Sequence, residues 1–271
     1  MTLTLKQASR RLEQLCQAEH LNVFEHHNGV GRVVIPVLTE HVHTALDDGP
    51  AEQYEFFRAR ATHAHALNAD FHICHNQVSV TVCHVTQTVK FGPGGQLIMG
   101  RRGIGLGPSL MATVIKWLHS KKIPTYSIEP GDLSRVDATT EGERLQRNRF
   151  YTAFGFSLWT TFTSERGLDV VDGHFGAVNV GCLTVPDRYQ NRLRTWQAFE
   201  NALGDERLEG VKNLAELKDI DRWISGKAWL SRLLLNFLKW PLPFRTRHKH
   251  PLKPWEVTPE NTMTENLSVK Q

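Results

Sequence analysis

Residues 100–118 read GRRGIGLGPSLMATVIKWL. Three glycines alternate with other residues behind a pair of arginines, Arg101 and Arg102. Apolar residues at helical spacing follow directly, namely Leu110, Met111, Val114, Ile115 and Leu118. Backbone N–H groups at the start of a helix attract anions, and glycines let a ligand approach with no Cβ in the way. The stretch therefore predicts a phosphate-binding loop that leads into a helix.

Two common phosphate-binding motifs do not fit this loop. A Walker A motif needs a lysine directly after its last glycine, and none follows Gly103, Gly105 or Gly107. A dinucleotide-binding G-x-G-x-x-G motif needs a third glycine at a position where this chain has Pro108 or Leu110. A nucleotide-binding enzyme of either kind is therefore disfavoured.

A third pattern fits. Residues 102–107, RGIGLG, match R/Q-x-x-G-x-G/A. About 45 residues further on, the stretch NRFYTAFGF at 148–156 contains Tyr-x-x-x-Gly-Phe, formed by Tyr151, Gly155 and Phe156. In this order, with a helix and a strand pattern between them, the two motifs resemble the acyl-CoA loop and a later helix-to-strand element of the GNAT superfamily of N-acyltransferases. The resemblance covers about residues 75–185.

The resemblance implies an α/β (mixed α+β) fold with a central mixed sheet flanked by helices. It implies acetyl-CoA as cosubstrate, with its pyrophosphate on the loop residues Arg101, Arg102, Gly103, Ile104, Gly105, Leu106, Gly107 and Pro108. The implied activity is acetyl transfer to an amine, by default a protein lysine or N-terminus. Two features depart from the family pattern: GPGGQLIMG (92–100) precedes the loop, and Arg144 stands where an asparagine is frequent.

Acyl transfer to an amine needs a base, an oxyanion donor and an acid. The resemblance assigns the acid role to Tyr151. The alternative is that Tyr151 is only an aromatic core residue. Glu129 and His84, each at a strand end, are the candidate bases, and the alternative for both is a solvated strand end. Arg147, together with Arg101 and Arg144, is a candidate for the coenzyme A phosphates. The alternative is that these arginines only form a solvent-exposed helix face.

Hydrophobic periodicity outlines the remaining architecture. It predicts helices over 3–20, 51–67 and 143–154, the last ended by Gly155, and strands over 32–38, 77–85, 86–91, 123–129, 156–164 and 177–185. We expect a GNAT-like domain over residues 1–190, a helical basic extension over 191–255 and a disordered tail over 256–271.

Composition is that of an ordinary globular protein, with 271 residues, 40% hydrophobic and 22% charged. The four cysteines form no dense framework, and no run reaches the ~18 apolar residues that span a bilayer. The first residues are polar and basic, unlike a secretory signal. These features predict a cytoplasmic protein.

Positive charge is concentrated near the C-terminus. Residues 227–253 contain seven Lys or Arg and no acid, so the rest of the chain, with 25 bases and 28 acids, is net negative. The segment is interpreted as a helix on the core or on a second subunit, as an interfacial helix on an anionic membrane, or as a nucleic-acid platform. It supports a rival function, a non-catalytic GNAT-like interaction protein or a nucleic-acid-modifying enzyme that binds its partner here.

Histidine is frequent, with 14 residues. The stretches His41-Val-His43, His63-Ala-His65, Cys74-His75 and Cys83-His84 contain metal-ligating residue types. None has a compact zinc spacing such as C-x2-C with H-x3-H. No metal is therefore expected.

Overall fold

The computed structural model describes residues 4–29, 31–44, 53–62, 75–92, 103–134, 136, 139–160 and 167–237. The helices are α1 (Leu5–Leu15), α2 (Leu106–Ser120), α3 (Glu141–Ala153), α4 (Asp187–Gln190) and α5 (Trp196–Phe237). The strands are β1 (Gln17–Asn28), β2 (Gly31–Thr44), β3 (Tyr54–Ala61), β4 (Gln77–Cys83), β5 (Thr88–Phe91), β6 (Ser127–Glu129), β7 (Gly131–Leu133), β8 (Ser157–Trp159), β9 (Gly173–Gly176) and β10 (Leu193–Thr195). The chain divides into two compact units, Met1–Leu208 and Glu209–Gln271.

Seven strands form a mixed sheet in the order β10-β1-β2-β3-β4-β5-β6. All neighbours are antiparallel except β5 and β6, which pair in parallel with Lys90 opposite Glu129. A parallel pair needs a long crossover connection, and α2 lies in this one. After Glu129 the chain passes Pro130 and enters a second, antiparallel sheet of order β7-β9-β8. The α/β fold class, a mixed sheet flanked by helices with a helical C-terminal extension, is confirmed.

The central strands are buried on both faces because helices cover each side. On one face, Leu5, Ala8 and Leu12 of α1 pack with Tyr54 and Phe56 of β3. On the other face, the apolar side of α2 packs against the alternate residues of β3 and β4. These include Phe57, Ala59, Val78, Val80 and Val82. Side chains alternate between the faces of a strand, so one strand contributes to both cores.

Several predicted elements are confirmed with small changes of boundary: α2, β4, β5 and α3. The strand predicted over 123–129 is shortened to β6, and the strand predicted over 156–164 contains β8, with 161–164 outside the described residues. Gly155 follows α3 with φ +87°, as expected for a residue beyond a helix end. Strand β2 continues through Pro36. The Pro36 carbonyl accepts a hydrogen bond from the Thr62 N–H.

Three predicted elements are wrong. The predicted helix 51–67 contains strand β3, whose residues are almost all buried, so burial on both faces hid the strand period. The predicted helix 3–20 ends at Leu15, and β1 begins at Gln17. In place of a strand over 177–185 there is a 3-10 turn at Val180–Cys182, and β9 lies earlier, at Gly173–Gly176. The expected domain boundaries at residues 190 and 255 stay predictions.

No described helix is long and apolar enough to cross a membrane. Most of the basic segment 227–253, the whole expected tail 256–271, and the stretches His63–His65 and Cys74 lie outside the described residues.

Replacing Gly155 by Ala is expected to lower the free energy of unfolding by about 2 kcal/mol or more. The new Cβ would collide with the Cys182 carbonyl oxygen, and the positive φ disfavours any L side chain. The matched control is Gly204→Ala in α5, where nothing lies within 4 Å of the new methyl group and helix propensity improves by ~0.5–1 kcal/mol. Urea unfolding of both variants measures the difference, and equal stabilities would contradict this account of the α3 terminus.

Candidate functional site

A cavity of about 490 Å³ lies between the glycine loop and α3. Its walls come from Gly103 and Gly105, from the first turn of α2, from one side of α3 between Gly142 and Phe154, and from α4. The volume is within the range of small-molecule sites. Two motifs that are distant in the sequence, the glycine loop and the Tyr151 helix, therefore line one cavity.

Two glycines of the loop have a backbone conformation that favours glycine. Gly103 and Gly105 both have φ +85°, a conformation that L side chains rarely adopt. Gly105 is the N-cap of α2, and the Ser109 N–H donates to its carbonyl. The N–H groups of Leu106 and Gly107 belong to the first helical turn and have no intrahelical acceptor, because an α-helix leaves its first donors unpaired. This end of the cavity is suited to an anion.

Charge near the cavity is mainly positive. Among the described residues that line it are Arg147, Arg149 and Arg188, against one acid, Glu143. The Arg192 Nη2 atom lies 3.7 Å from the place where a Cβ on Gly105 would be. Glu143 caps α3: hydrogen bonds from the Thr139 side chain and the Thr140 backbone lower the pKa of its carboxyl.

Tyr151 lines the cavity and is also a core residue. Its ring stacks on Phe175 of β9 at a centroid distance of 4.2 Å, and only 5% of the residue is exposed. Phe150 and Phe156 contact the ring edge-on, at 5.0 and 6.0 Å. The two interpretations of Tyr151, an aromatic core residue and a site residue, are therefore compatible, since packing fixes a ring that also faces the cavity.

Arg147 has a structural role beside its place in the cavity wall. Its guanidinium donates to the carbonyls of Ser134, Val170 and Val171 at 2.7, 2.8 and 3.1 Å. Asn148, fully buried, donates to the Leu168 and Val170 carbonyls at 2.6 and 2.8 Å. These contacts tie α3 to the segments before and after it. Arg144 in turn contacts Asp169 at 3.4 Å.

The two candidate bases lie in different places, and neither lines the cavity. Glu129, at the end of β6, is paired with Lys90 at 2.7 Å. His84 lies at the other end of α2, with its Nδ1 atom 3.3 Å from the Tyr126 hydroxyl. A 15-residue helix is about 22 Å long, so His84 is far from the loop.

The remaining loop residues divide as follows. Ile104 packs against the core from the loop, while Leu106 is buried and begins α2. Pro108 is in the first turn, where its missing N–H costs nothing. Arg101 and Arg102 lie outside the described residues.

Sequence reasoning missed the wall formed by α4. Arg188 and Tyr189 line the cavity, and the Tyr189 ring stacks on Phe154 at 6.0 Å with the Arg188 guanidinium 4.8 Å above it. Arg192 lies two residues beyond the end of α4. The only available signal was a cluster of arginines in DRYQNRLR (187–194), which by itself is typical of a solvated surface.

Comparison with protein-family models, with curated proteins and with solved structures gave no match. The resemblance to GNAT N-acyltransferases therefore stays a prediction from the two motifs.

Replacing Arg147 by Ala is expected to reduce the free energy of unfolding by ~2–3 kcal/mol, because partly buried carbonyls lose a charged donor. Arg149→Ala is the matched control, since that residue is exposed on the same helix and the change should stay within ~0.5 kcal/mol. Thermal and urea unfolding measure both. If Arg147→Ala proves as stable as the control, its main role is in the cavity and not in the fold.

Proposed function

We propose that the chain is an acyl-CoA-dependent N-acyltransferase and that acetyl-CoA binds in the cavity between the glycine loop and α3. The observation that carries the proposal is the junction of two positive-φ glycines, a helix N-terminus and an aromatic helix face around one cavity. The coenzyme A pyrophosphate would accept hydrogen bonds from the N–H groups of Leu106 and Gly107. Arg192 supplies positive charge at the same end, and Arg188 supplies it from the cavity wall.

In the proposed reaction the acceptor amine attacks the thioester carbonyl carbon. The C–S bond breaks as the tetrahedral intermediate collapses, and the departing thiolate takes a proton from the Tyr151 hydroxyl. The amine loses its proton to a base. Stacking on Phe175 holds the Tyr151 ring in one orientation, which suits a positioned acid.

Glu129 is the better of the two candidate bases. It ends β6, which pairs with β5, the strand that leads towards the glycine loop. To accept a proton it would have to exchange its ion pair with Lys90 for the substrate amine, and its half-exposed side chain allows this. His84 is not proposed as the base, because it lies at the opposite end of α2. The acceptor stays at its default, a protein lysine or N-terminus.

A second candidate function is that of an interaction protein without catalysis. Large apolar side chains are more than half exposed along α5, among them Leu208, Val211, Leu214, Leu217, Ile220, Trp223, Ile224 and Trp229. A row of this kind is typical of a surface that meets another protein. Wild-type protein that fails to bind coenzyme A would leave this role as the better supported one.

Arg188→Glu and Arg192→Glu are each expected to weaken coenzyme A binding about 10- to 100-fold, because a charge-assisted contact to phosphate becomes a repulsion. Isothermal titration calorimetry with coenzyme A measures the dissociation constants. Arg10→Glu, an exposed arginine on α1 that does not line the cavity, is the charge-matched control and should bind like wild type. If all three variants bind coenzyme A equally weakly, the net charge of the protein and not a defined phosphate site determines the affinity.

Tyr151→Phe is expected to keep coenzyme A affinity and to lower the rate of acyl transfer about 100-fold, since the stacked ring remains but the proton donor is lost. Thiol release from acetyl-CoA with a panel of lysine peptides and polyamines gives the rate. Tyr189→Phe removes a hydroxyl from the same cavity and should retain the wild-type rate. A full rate in Tyr151→Phe would remove that residue from the chemistry.

A further inference from the structure

A cluster of histidines surrounds one glutamate at the end of α2 opposite the cavity. His41 and His43 alternate along β2 and so share one face, and His43 is directly opposite Glu55 on β3. Glu55 is opposite Val82 on β4, and His84 comes two residues later. Three adjacent strands therefore bring residues distant in the sequence to one place. The side chain of Glu55 is only 8% exposed.

The distances in this cluster do not suit direct hydrogen bonds. The Nε2 atoms of His43 and His84 lie 3.7 and 3.5 Å from the same carboxylate oxygen, Oε1 of Glu55. Hydrogen bonds between nitrogen and oxygen are usually 2.7–3.2 Å long, so these are too long. The His84 Nε2 atom is buried with no hydrogen-bond partner among the described residues. Ligands of a tetrahedral zinc ion with bonds of ~2.0–2.1 Å are about 3.4 Å apart, which matches the two distances.

We propose that His43, Glu55 and His84 form a binding site for a divalent transition metal such as Zn²⁺. One ligand atom from each residue lies within 4.8 Å of the other two. Two imidazole nitrogens and one carboxylate oxygen are a ligand set that zinc accepts, with a fourth position left for water. His43 is the exposed member, so the site opens to solvent on its side. The metal site is separate from the cavity between the glycine loop and α3, and this proposal does not rest on the proposed function.

The neighbouring groups fit a metal site. The Nδ1 atom of His84 lies 3.3 Å from the Tyr126 hydroxyl, an outer contact of the kind that fixes the tautomer of a metal-bound imidazole. The Lys121 ammonium contacts the other carboxylate oxygen, Oε2, at 2.8 Å, and His41 faces the same oxygen at 3.5 Å. The Oε1 atom remains directed at His43 and His84. Burial by itself would raise the pKa of Glu55, but the nearby His41 and Lys121 side chains outweigh it and lower that pKa to about 2, so the carboxylate is ionised at neutral pH.

The test is a zinc titration of the full chain after dialysis against EDTA and removal of the chelator, followed by competition with a chromophoric chelator. Wild type is expected to bind one tight Zn²⁺ per chain. His43→Ala, an exposed change that leaves the core intact, should weaken it by at least about 100-fold, and Tyr126→Phe by about 10-fold. His20→Ala is the matched control, because His20 is also a histidine beside a glutamate, 3.9 Å from Glu19, but it is far more exposed.

Cobalt gives a second readout that is insensitive to weak surface binding. Co²⁺ bound to the three ligands should produce visible d–d absorption that is absent from His43→Ala and from His84→Ala and present in His20→Ala. Circular dichroism of each metal-free variant checks folding. Zinc affinity of His43→Ala equal to that of wild type, or a wild-type chain that binds no tight zinc, overturns the proposal.

Discussion

Parallel pairing of β5 with β6 is the constraint on which the rest of this structure depends. Two parallel neighbours cannot be joined by a hairpin. After β5 the chain must therefore return to the end of the sheet where β5 begins, and only there can β6 start. Helix α2 makes that return, and its N-terminus consequently lies at the end of the sheet where β5 finishes. The carboxyl ends of parallel strands are where open α/β sheets usually bind ligands.

The same constraint gives α2 two different ends. Its N-terminal end has partial positive charge from the helix dipole and borders a cavity with several arginines, a combination that favours a phosphate-bearing ligand. Its C-terminal end, with Lys121 as the C-cap, lies beside Glu55 and its histidines. A buried helix of fixed length keeps these two chemistries apart, so a group at one end cannot serve the reaction at the other. Because of that separation we propose His84 for a metal site and not for acyl transfer.

Much of the central fold could be predicted from the sequence because local signals are strong there. The alternating valines of β4 predicted that strand. Gly155 correctly marked the end of α3, because only glycine tolerates the backbone conformation there and the close approach of Cys182. The N-terminal half was harder to predict. Strand β3 is covered by helices on both faces, so YEFFRARA carries no clear period of two and reads equally well as a helix.

The candidate site divides in the same way. The glycine loop and Tyr151 were predictable because their motifs are local in the sequence. The wall formed by α4 and the histidine cluster were not, since each depends on which strands or helices become neighbours. His41, His43 and His84 have no ligand spacing along the chain, and only the register of β2, β3 and β4 brings them to Glu55. Strand register is a tertiary property, and no short-range pattern contains it.

The proposed function depends on binding of the coenzyme A pyrophosphate by the backbone of the glycine loop. The most direct measurement is an NMR titration of ¹⁵N-labelled full-length protein with coenzyme A, which follows backbone N–H resonances. If the loop binds the pyrophosphate, Gly105, Leu106 and Gly107 and the cavity face of α3 should show large, saturable shifts, with little change at the C-terminal end of α2. Shifts confined to α5 or to the histidine cluster, or no saturable shift at all, would contradict it.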